Sequence, residues 1–282
     1  MRCHPTKAQS SVMGKKTSVL PSNREYYVFG CALVAALAFA AASRAAADPG
    51  TRTGSKANSL ATADGYYGGR EKLANVDQGL QVLRQILAGN PNDYEAWWRI
   101  SRSENYLGRK APNDKAAGRA YQAGIDAGRR AVALERDRVE GHFWLGANYG
   151  LLAETDGWIK GLRLIDTVRD EMETVIRLNP DYEQAAGQRT LARLYYRAPF
   201  FKGGDKQRSI ALLEDCLQRH PRDSFAMLYL ADDYLAVGKR AEARELLDRV
   251  LGLAADPVYG PELSDNQAEA RDRLREEFRT GK

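Results

Sequence analysis

Apolar residues recur along most of the chain with the 3.6-residue period of α-helices. In four segments they fall at positions i, i+3, i+4 and i+7, which places them on one helical face. These segments are Gly124 to Leu134, Val168 to Leu178, Ser209 to Leu217 and Ala243 to Leu253. From Gly69 onward the chain lacks the alternating β-branched runs that are typical of strands. The pattern therefore predicts an all-α protein.

A second type of helix precedes each of these segments and begins at a turn. The turns lie at Pro91, Arg136, Pro180 and Pro221. Because proline lacks an amide hydrogen and clashes inside a helix, it stops one helix and can start the next. Each turn leads to a large residue and then to an aliphatic–small pair, such as Leu230-Ala231. The small residue lets the next helix approach closely, so we expect four helical hairpins packed in series.

This order of residues resembles the tetratricopeptide repeat (TPR), a helical hairpin with the pattern W-x2-L-G-x2-Y…A-x3-F…P. In the last unit, Leu230-Ala231, Tyr234, Gly238 and Ala243 have the expected spacing. The turns recur every 41–45 residues, and the surplus over the usual 34 residues lies between the paired helices. The resemblance implies a right-handed α-solenoid of about four divergent TPR-like hairpins.

A narrower resemblance rests on the third repeat. The segment 191–199, Lys202-Gly203-Gly204-Asp205, Ser209 and Leu212-Leu213 resemble the T-component family of TRAP-type transporter systems. This resemblance implies a periplasmic repeat protein that assists a solute-binding protein. A general scaffold of the cell envelope with no small ligand is the alternative. The regulator of microtubule dynamics family has a similar helical architecture, but the N-terminal leader described next argues against that setting.

The first 47 residues have the features of a secretory signal peptide. A basic stretch precedes an apolar run from Tyr26 to Ala42, and small residues follow up to Ala47. This order predicts export and cleavage between Ala47 and Asp48. The start of translation stays open between Met1 and Met13, and an uncleaved N-terminal membrane anchor is the alternative.

The remaining chain divides into three parts. Residues 48–68 are small and polar, which is typical of a flexible linker. Residues 69–255 form the solenoid, with an opening helix at Gly69–Gly89. Residues 256–282 supply a capping helix, Ser264–Phe278, and a tail. A Ser264…Gln267 capping box is expected to start that helix.

The charge distribution argues against a nucleic-acid partner. Of the 42 basic and 37 acidic residues in the chain, six and one respectively lie in residues 1–47, so the remainder holds 36 of each. A nucleic-acid-binding domain needs its basic excess on the folded part. Cys216 is the single cysteine after the leader, so no intramolecular disulfide can form there.

In TPR proteins the first helix of each hairpin lines the concave face, and ligands contact it at fixed offsets from the large residue. The resemblance therefore assigns a ligand- or partner-binding groove to Trp98, Arg102, Asn105, Phe143, Leu151, Arg189, Arg193, Tyr196, Arg197 and Asp232. Trp98 and Phe143 are expected to face the groove, whereas Trp97 and Trp144 are expected in the core.

Arg189, Arg193 and Arg197 are four residues apart and share one helical face. Free guanidinium groups there could hold a carboxylate bidentately. The expected occupant is a partner protein, such as a periplasmic solute-binding protein, or a small anionic or apolar molecule. Both a monomer and a homo-oligomer are compatible with the sequence.

The sequence favours binding over catalysis. It contains no Ser-His-Asp arrangement, HExxH or CxxC motif, and we predict no enzyme activity, cofactor or metal. Cys216 and His220 are four residues apart, but two ligands do not make a metal site. His142 takes the place of a large packed residue of the repeat. Gly203-Gly204-Asp205 predicts a tight turn with Asp205 as a helix N-cap.

The leader provides the first testable prediction. Because a signal peptidase would cut after Ala47, the native protein should begin at or near Asp48. N-terminal sequencing of protein isolated from its own cells measures this directly. A mature protein that retains residues 1–47 would show that the segment is an anchor.

Overall fold

The computed structural model describes residues 49–155, 158–256 and 259–278, so the predicted signal peptide lies outside the described residues. The described α-helices are α1 (Pro49–Gly68), α2 (Leu73–Gly89), α3 (Tyr94–Arg109), α4 (Asp114–Leu134), α5 (Val139–Thr155), α6 (Trp158–Leu178), α7 (Ala186–Arg197), α8 (Lys206–Arg219), α9 (Ser224–Ala236), α10 (Arg240–Gly252) and α11 (Gly260–Glu277). A short 3-10 helix, Phe200–Lys202, follows α7. None of the described helices is both long and apolar enough to cross a membrane.

The four predicted hairpins are α3/α4, α5/α6, α7/α8 and α9/α10, and the all-α solenoid of TPR-like hairpins is confirmed. The surplus residues of the first two repeats do not form long loops. They extend the second helices at their N-terminal ends, so that α4 and α6 each have 21 residues. In the third repeat the surplus is a true connection, which contains the 3-10 helix.

Aspartate and asparagine side chains fix where the helices begin. Asp93 accepts a hydrogen bond from the amide of Ala96 at 3.0 Å, and Asp205 accepts one from the amide of Arg208 at 3.0 Å. These bonds satisfy amides that have no partner within the helix. The predicted role of Asp205 as an N-cap is confirmed.

The small member of each aliphatic–small pair lies where two helices approach most closely. Ala231 has no exposed surface and belongs to the core shared by α8, α9 and α10. At Gly146 a Cβ atom would lie 2.3 Å from the Met172 side chain, so the contact between α5 and α6 excludes any larger residue. The packing inferred from the sequence is confirmed at both positions.

The prediction of a flexible linker at residues 48–68 is wrong for its described part. Residues 49–68 form α1, which packs against α2. Ala63 is buried in a cluster with Leu80 and Leu83 of α2. Helix propensity is only a weak determinant of structure, and burial of this apolar face outweighs the Gly, Ser and Thr content of the segment.

The capping helix begins four residues earlier than expected, and the predicted capping box does not form. Pro261 lies in the first turn of α11, where its missing amide hydrogen costs nothing. Gln267 instead donates to the carbonyls of Val250, Leu251 and Leu253 at 3.1–3.3 Å. It therefore satisfies the C-terminal end of α10 and fixes α11 against it.

One buried carboxyl group lies between the last two hairpins. The Oδ2 atom of Asp233 is 2.5 Å from Ser209 Oγ, which also donates to the carbonyl of Ala192 at 2.8 Å. Ser209 has a single hydroxyl proton, so when that proton points to Ala192 the other contact requires a protonated Asp233. Burial raises the pKa of Asp233 from its usual 3.8 to about 6.

The replacement Asp233→Asn tests this assignment. The folded wild type binds the proton more tightly than the unfolded chain does. Its stability therefore falls as pH rises from about 4 to about 6, and stays lower above that range. The introduced amide should donate to Ser209 without ionising, so we expect stabilisation by roughly 1–3 kcal/mol at pH 8 and little change at pH 4. Chemical denaturation at both pH values measures the difference, and an equal effect at both would contradict the assignment.

Candidate binding cavity

The first turns of α11 contact the opposite end of the solenoid. Glu262 of α11 accepts two hydrogen bonds from Arg70, in the turn after α1, at 2.9 and 2.5 Å. Both residues are buried, at 4% and 6% exposure. A second ion pair joins Asp265 of α11 to Lys110 at the end of α3, at 2.5 Å. The C-terminal helix therefore closes the solenoid onto its first hairpins.

Arg70 keeps its positive charge although it is buried. Burial alone would lower the pKa of Arg70, but the hydrogen bonds and charge of Glu262 raise it above its usual value. The Arg70 guanidinium also lies 4.8 Å from the ring centre of Tyr67 and 5.8 Å from that of Tyr106, within range of cation–π attraction. The free-energy cost of burying the Arg70 charge is thus offset by a bidentate carboxylate and by two aromatic faces.

A cavity of about 960 Å³ lies between α11, α1 and the first helices of the hairpins. This volume is at the upper end of the range for small-molecule sites. Much of its wall is apolar or aromatic: Tyr67, Phe143, Trp144, Ala147, Leu151, Leu162, Ile165, Leu194, Phe225, Tyr229 and Tyr259. The binding cavity, as we call this space, is therefore a built feature of the closed solenoid.

Seven of the ten predicted groove residues line the binding cavity: Arg102, Asn105, Phe143, Leu151, Arg189, Arg193 and Arg197. They come from α3, α5 and α7, the first helices of three successive hairpins. The structure thus brings these seven side chains to one space. Helix α6 also contributes to the wall through Leu162 and Ile165, which the sequence reasoning did not assign.

Trp98 is an exception because it is buried where α3 packs against α4 and α5. Its ring is only 8% exposed and packs with Tyr94 and Ala131. The Arg99 guanidinium lies 4.1 Å from its ring centre and is held in turn by Asp64 of α1 at 2.9 Å. Since the segment of α1 was expected to be a linker, the contribution of Asp64 through Arg99 could not be foreseen. The assignment of Trp98 to the groove is therefore corrected.

Trp144 and Phe143 form the aromatic part of the wall. Trp144 was expected in the core, yet it is partly exposed and lines the binding cavity. Its ring meets that of Phe143 edge to face, with centres 4.9 Å apart, and Phe143 meets Tyr182 in the same way at 5.3 Å. These contacts fix the orientation of the Phe143 ring.

The remaining two predicted groove residues do not line the binding cavity. Asp232 binds Arg193 at 2.6 Å and Arg273 of α11 at 2.8 Å, so it joins α7, α9 and α11. Tyr196 lies beside Arg193 and near Lys206, with each cation within 6 Å of its ring centre. Both side chains are taken up by contacts within the protein.

The three aligned arginines all line the binding cavity, but they are not a free cationic surface. Arg189 is paired with buried Asp223, and Arg193 with Asp232. Burial alone would lower the pKa of Arg189 and Arg193, but these carboxylates raise it above its usual value. Arg197 is 3.7 Å from Glu154, and its side chain is 57% exposed. The first two arginines therefore fasten α7 to α9, and Arg197 marks where the cavity meets solvent.

One lining cation has no carboxylate partner within the described part of the chain. The lining holds six arginines and six carboxylates, and its formal charge is zero. Among the described residues, each of these charged side chains except Arg109 has a partner. The partner carries the opposite charge in every case but Glu183, which is paired with the hydroxyl of Tyr259. The Arg109 guanidinium lies 5.1 Å from the ring centre of Phe225. Sequence reasoning missed Arg109 because its offsets on α3 stopped at Asn105.

The residues considered for metal binding or catalysis lie in structural contacts. Among the described residues, no three potential ligands come together as a metal site. Cys216 is fully buried, and burial raises the pKa of its thiol to about 12. His142 is partly buried between Glu171, 2.6 Å from its Nδ1, and the carbonyl of Arg136, 2.9 Å from its Nε2. The hydrogen bond to Glu171 raises the pKa of His142.

Comparisons with known proteins agree with this architecture. The family model "Regulator of microtubule dynamics protein 1-3" matches residues 59–187, and a tetratricopeptide repeat model matches residues 200–260. The fold is that of a TPR solenoid. No curated protein matches the sequence.

Solved structures support the same conclusion. A thermophilic TPR protein of Thermus thermophilus is 21% identical, with a TM-score of 0.58, over 77% of this chain and 97% of that one. PilW, described as a widely conserved type IV pilus biogenesis factor, is 15% identical, with a TM-score of 0.51, over 79% of this chain and 95% of that one. At these identities the likeness concerns the fold alone.

The role of the buried Arg70–Glu262 pair in closing the solenoid can be tested by removing the charge of one partner. Glu262→Gln leaves Arg70 buried without a counter-charge, and we expect a loss of roughly 3–5 kcal/mol in unfolding free energy. Hydrogen exchange should quicken in α11. The double variant Arg70→Met/Glu262→Leu is the control, because it removes both charges and should recover most of the loss. Unchanged exchange in α11 of the single variant would show that the pair does not hold it.

Proposed function

We propose that this chain is an exported TPR-type binding protein that holds a small amphipathic anion in the binding cavity. It would act as an accessory component of a TRAP-type solute transport system, beside a periplasmic solute-binding protein. The observation that carries the proposal is a cavity of about 960 Å³ with apolar walls and a single uncompensated cation, Arg109, among its described lining residues. The third-repeat resemblance and the predicted leader support the transport setting.

The residues of the cavity wall determine which class of ligand fits. Leu151, Leu162 and Ile165 offer an apolar surface, and burial of an alkyl or ring group there is favourable by about 25 cal/mol per Å². Among the described lining charges, the other cations are paired with carboxylates and Glu183 is held by the Tyr259 hydroxyl, so a second negative charge on the ligand would be unpaired and costly to bury. A monoanion with one apolar end therefore fits best.

The solvent side of the cavity suggests how a partner protein could engage. Arg197 and Glu154 are both about half exposed and only 3.7 Å apart. An ion pair in such a position contributes little to stability, so it can exchange for contacts with another protein at small cost. A docked solute-binding protein would then face the opening through which the ligand passes.

A general envelope scaffold without a small ligand is the second candidate. TPR solenoids bind protein partners, and the fold of this chain is the same as in PilW. The exposed charged pairs at the rim, such as Lys110–Asp265, suit a polar partner surface. A scaffold of this kind would leave the binding cavity without a bound molecule.

Dodecanoate is a suitable probe, with dodecanol as its uncharged counterpart. We expect the protein to bind dodecanoate more tightly, because only the carboxylate can pair with Arg109. Arg109→Gln should weaken binding by about tenfold or more, the usual worth of a charge-assisted hydrogen bond. Leu151→Trp should also weaken it, because the larger ring takes up part of the space beside the apolar wall. Isothermal titration measures both affinities, and Arg275→Gln, at a guanidinium 71% exposed on α11, is the matched control.

Two results would contradict the proposal. Equal affinity for the acid and the alcohol would show that Arg109 does not bind the anion. Binding that neither Arg109→Gln nor Leu151→Trp weakens would place the ligand elsewhere. Native mass spectrometry of freshly isolated protein distinguishes the scaffold, which should carry a protein partner and no small molecule.

A further inference from the structure

Two adjacent phenylalanines project from the connection between α7 and α8. Phe200 is 92% exposed and Phe201 is 73% exposed, by far the highest values for large apolar residues in the described chain. The next are Leu73, at 42%, and Leu134, at 36%, which lie in other hairpins. Burial of a phenylalanine is worth about 1.5–3 kcal/mol, so a pair left in water indicates a surface that another structure covers.

The backbone holds this tip in one conformation. The amides of Lys202 and Gly204 donate to the Pro199 carbonyl at 2.9 and 3.0 Å, and the amide of Asp205 donates to the Tyr195 carbonyl at 2.9 Å. Gly203 has a φ of +85°, which glycine adopts without strain. At Gly204 a Cβ would lie 1.9 Å from the Ala198 carbonyl oxygen, so any side chain is excluded.

Helix α6 holds the other side of the tip. Arg169 donates to the carbonyl of Lys202 at 2.8 Å, and the Lys202 ammonium group binds Asp166 at 3.0 Å. The phenylalanines are therefore presented by a loop that is already ordered, and binding through them would cost little conformational entropy.

The residues beside the tip carry a positive excess. The cations on this connection and its flanks are Arg169, Arg197, Lys202, Lys206 and Arg208, against the carboxylates Glu154, Asp166 and Asp205. Lys206 and Arg208 are exposed and lie in the first turn of α8, directly after the phenylalanines. The surface that covers the tip should therefore be apolar inside and negatively charged at its edge.

We propose that the Phe200–Phe201 tip inserts into the interface of an anionic lipid bilayer. Such a bilayer offers acyl chains to the two rings and negative head groups to Lys206 and Arg208. A protein partner would more often meet a broad patch in which a central anchor is ringed by further contacts. Here the two rings have no further exposed apolar residue beside them in the described connection, and the charges around them have a net positive excess. A narrow projecting tip with a basic collar fits a surface that needs no shaped pocket.

A probe placed on the tip tests this in the full chain, independently of any affinity that residues 1–47 have for lipid. Phe201→Cys in a Cys3→Ser/Cys31→Ser background takes a polarity-sensitive fluorophore, since the remaining Cys216 is fully buried. Vesicles of phosphatidylcholine with phosphatidylglycerol should shift its emission to the blue, and salt should reduce the shift. The same probe at Leu73→Cys is the matched control and should not shift.

Cosedimentation with these vesicles gives the strength of binding. Phe200→Ser/Phe201→Ser should lower the partition coefficient of the probe-free chain by about tenfold or more if the tip dominates binding. Lys206→Glu/Arg208→Glu should lower it for anionic vesicles and not for neutral ones.

Two outcomes would overturn the proposal. One is a probe at position 201 that shifts no more than the probe at position 73. The other is self-association without lipid that is lost in the double-serine variant, since a second copy of the chain would then cover the tip. Light scattering of both proteins without vesicles detects this.

Discussion

Closure of the solenoid by α11 is the constraint on which the binding cavity depends. The Arg70–Glu262 ion pair joins residues 192 positions apart and excludes both from water. A buried ion pair contributes little net stability, because desolvation opposes the attraction between the charges, but a wrong partner would be very costly. The pair therefore specifies where α11 lies, and that position brings Tyr259 and Glu262 to the same space as Tyr67 and Phe143.

The same arrangement of helices pairs most of the arginines around the cavity with carboxylates of the protein itself. Asp223 and Asp232 of the fourth hairpin supply counter-charges to Arg189 and Arg193 of the third, and Asp232 also holds Arg273 of α11. Charges that would otherwise repel along one helical face thus fasten three helices together. Among the described charges of this wall, Glu183 has the neutral Tyr259 hydroxyl as its partner and Arg109 is the one cation without a carboxylate, so Arg109 is the cation left to pair with a ligand. The proposed preference for a ligand with a single negative charge would follow from how the other charges are paired.

Local signals in the sequence were sufficient to predict the helical hairpins. Turn prolines, aspartate caps and aliphatic–small pairs act over a few residues, and the structure follows them at Asp205 and Ala231. The 44% apolar content could not show which aromatic faces the cavity, since packing between helices buries Trp98 and leaves Trp144 partly exposed at the cavity wall. A helical face fixes which arginines point the same way, but their carboxylate partners lie 34–39 residues further on. Closure of the solenoid depends on an ion pair between residues that are still farther apart in the chain, and no local sequence pattern predicts such a contact.

The connection between α7 and α8 links the interior of the solenoid to its surface. Ala198 and Pro199 line the binding cavity, whereas Phe200 and Phe201 project into solvent from the next two positions. Tyr195 and Gly204 anchor this segment through backbone hydrogen bonds at both ends, so it cannot shift at one residue without moving the others. The exposed tip and the wall beside Arg197 are therefore parts of one ordered segment of the chain.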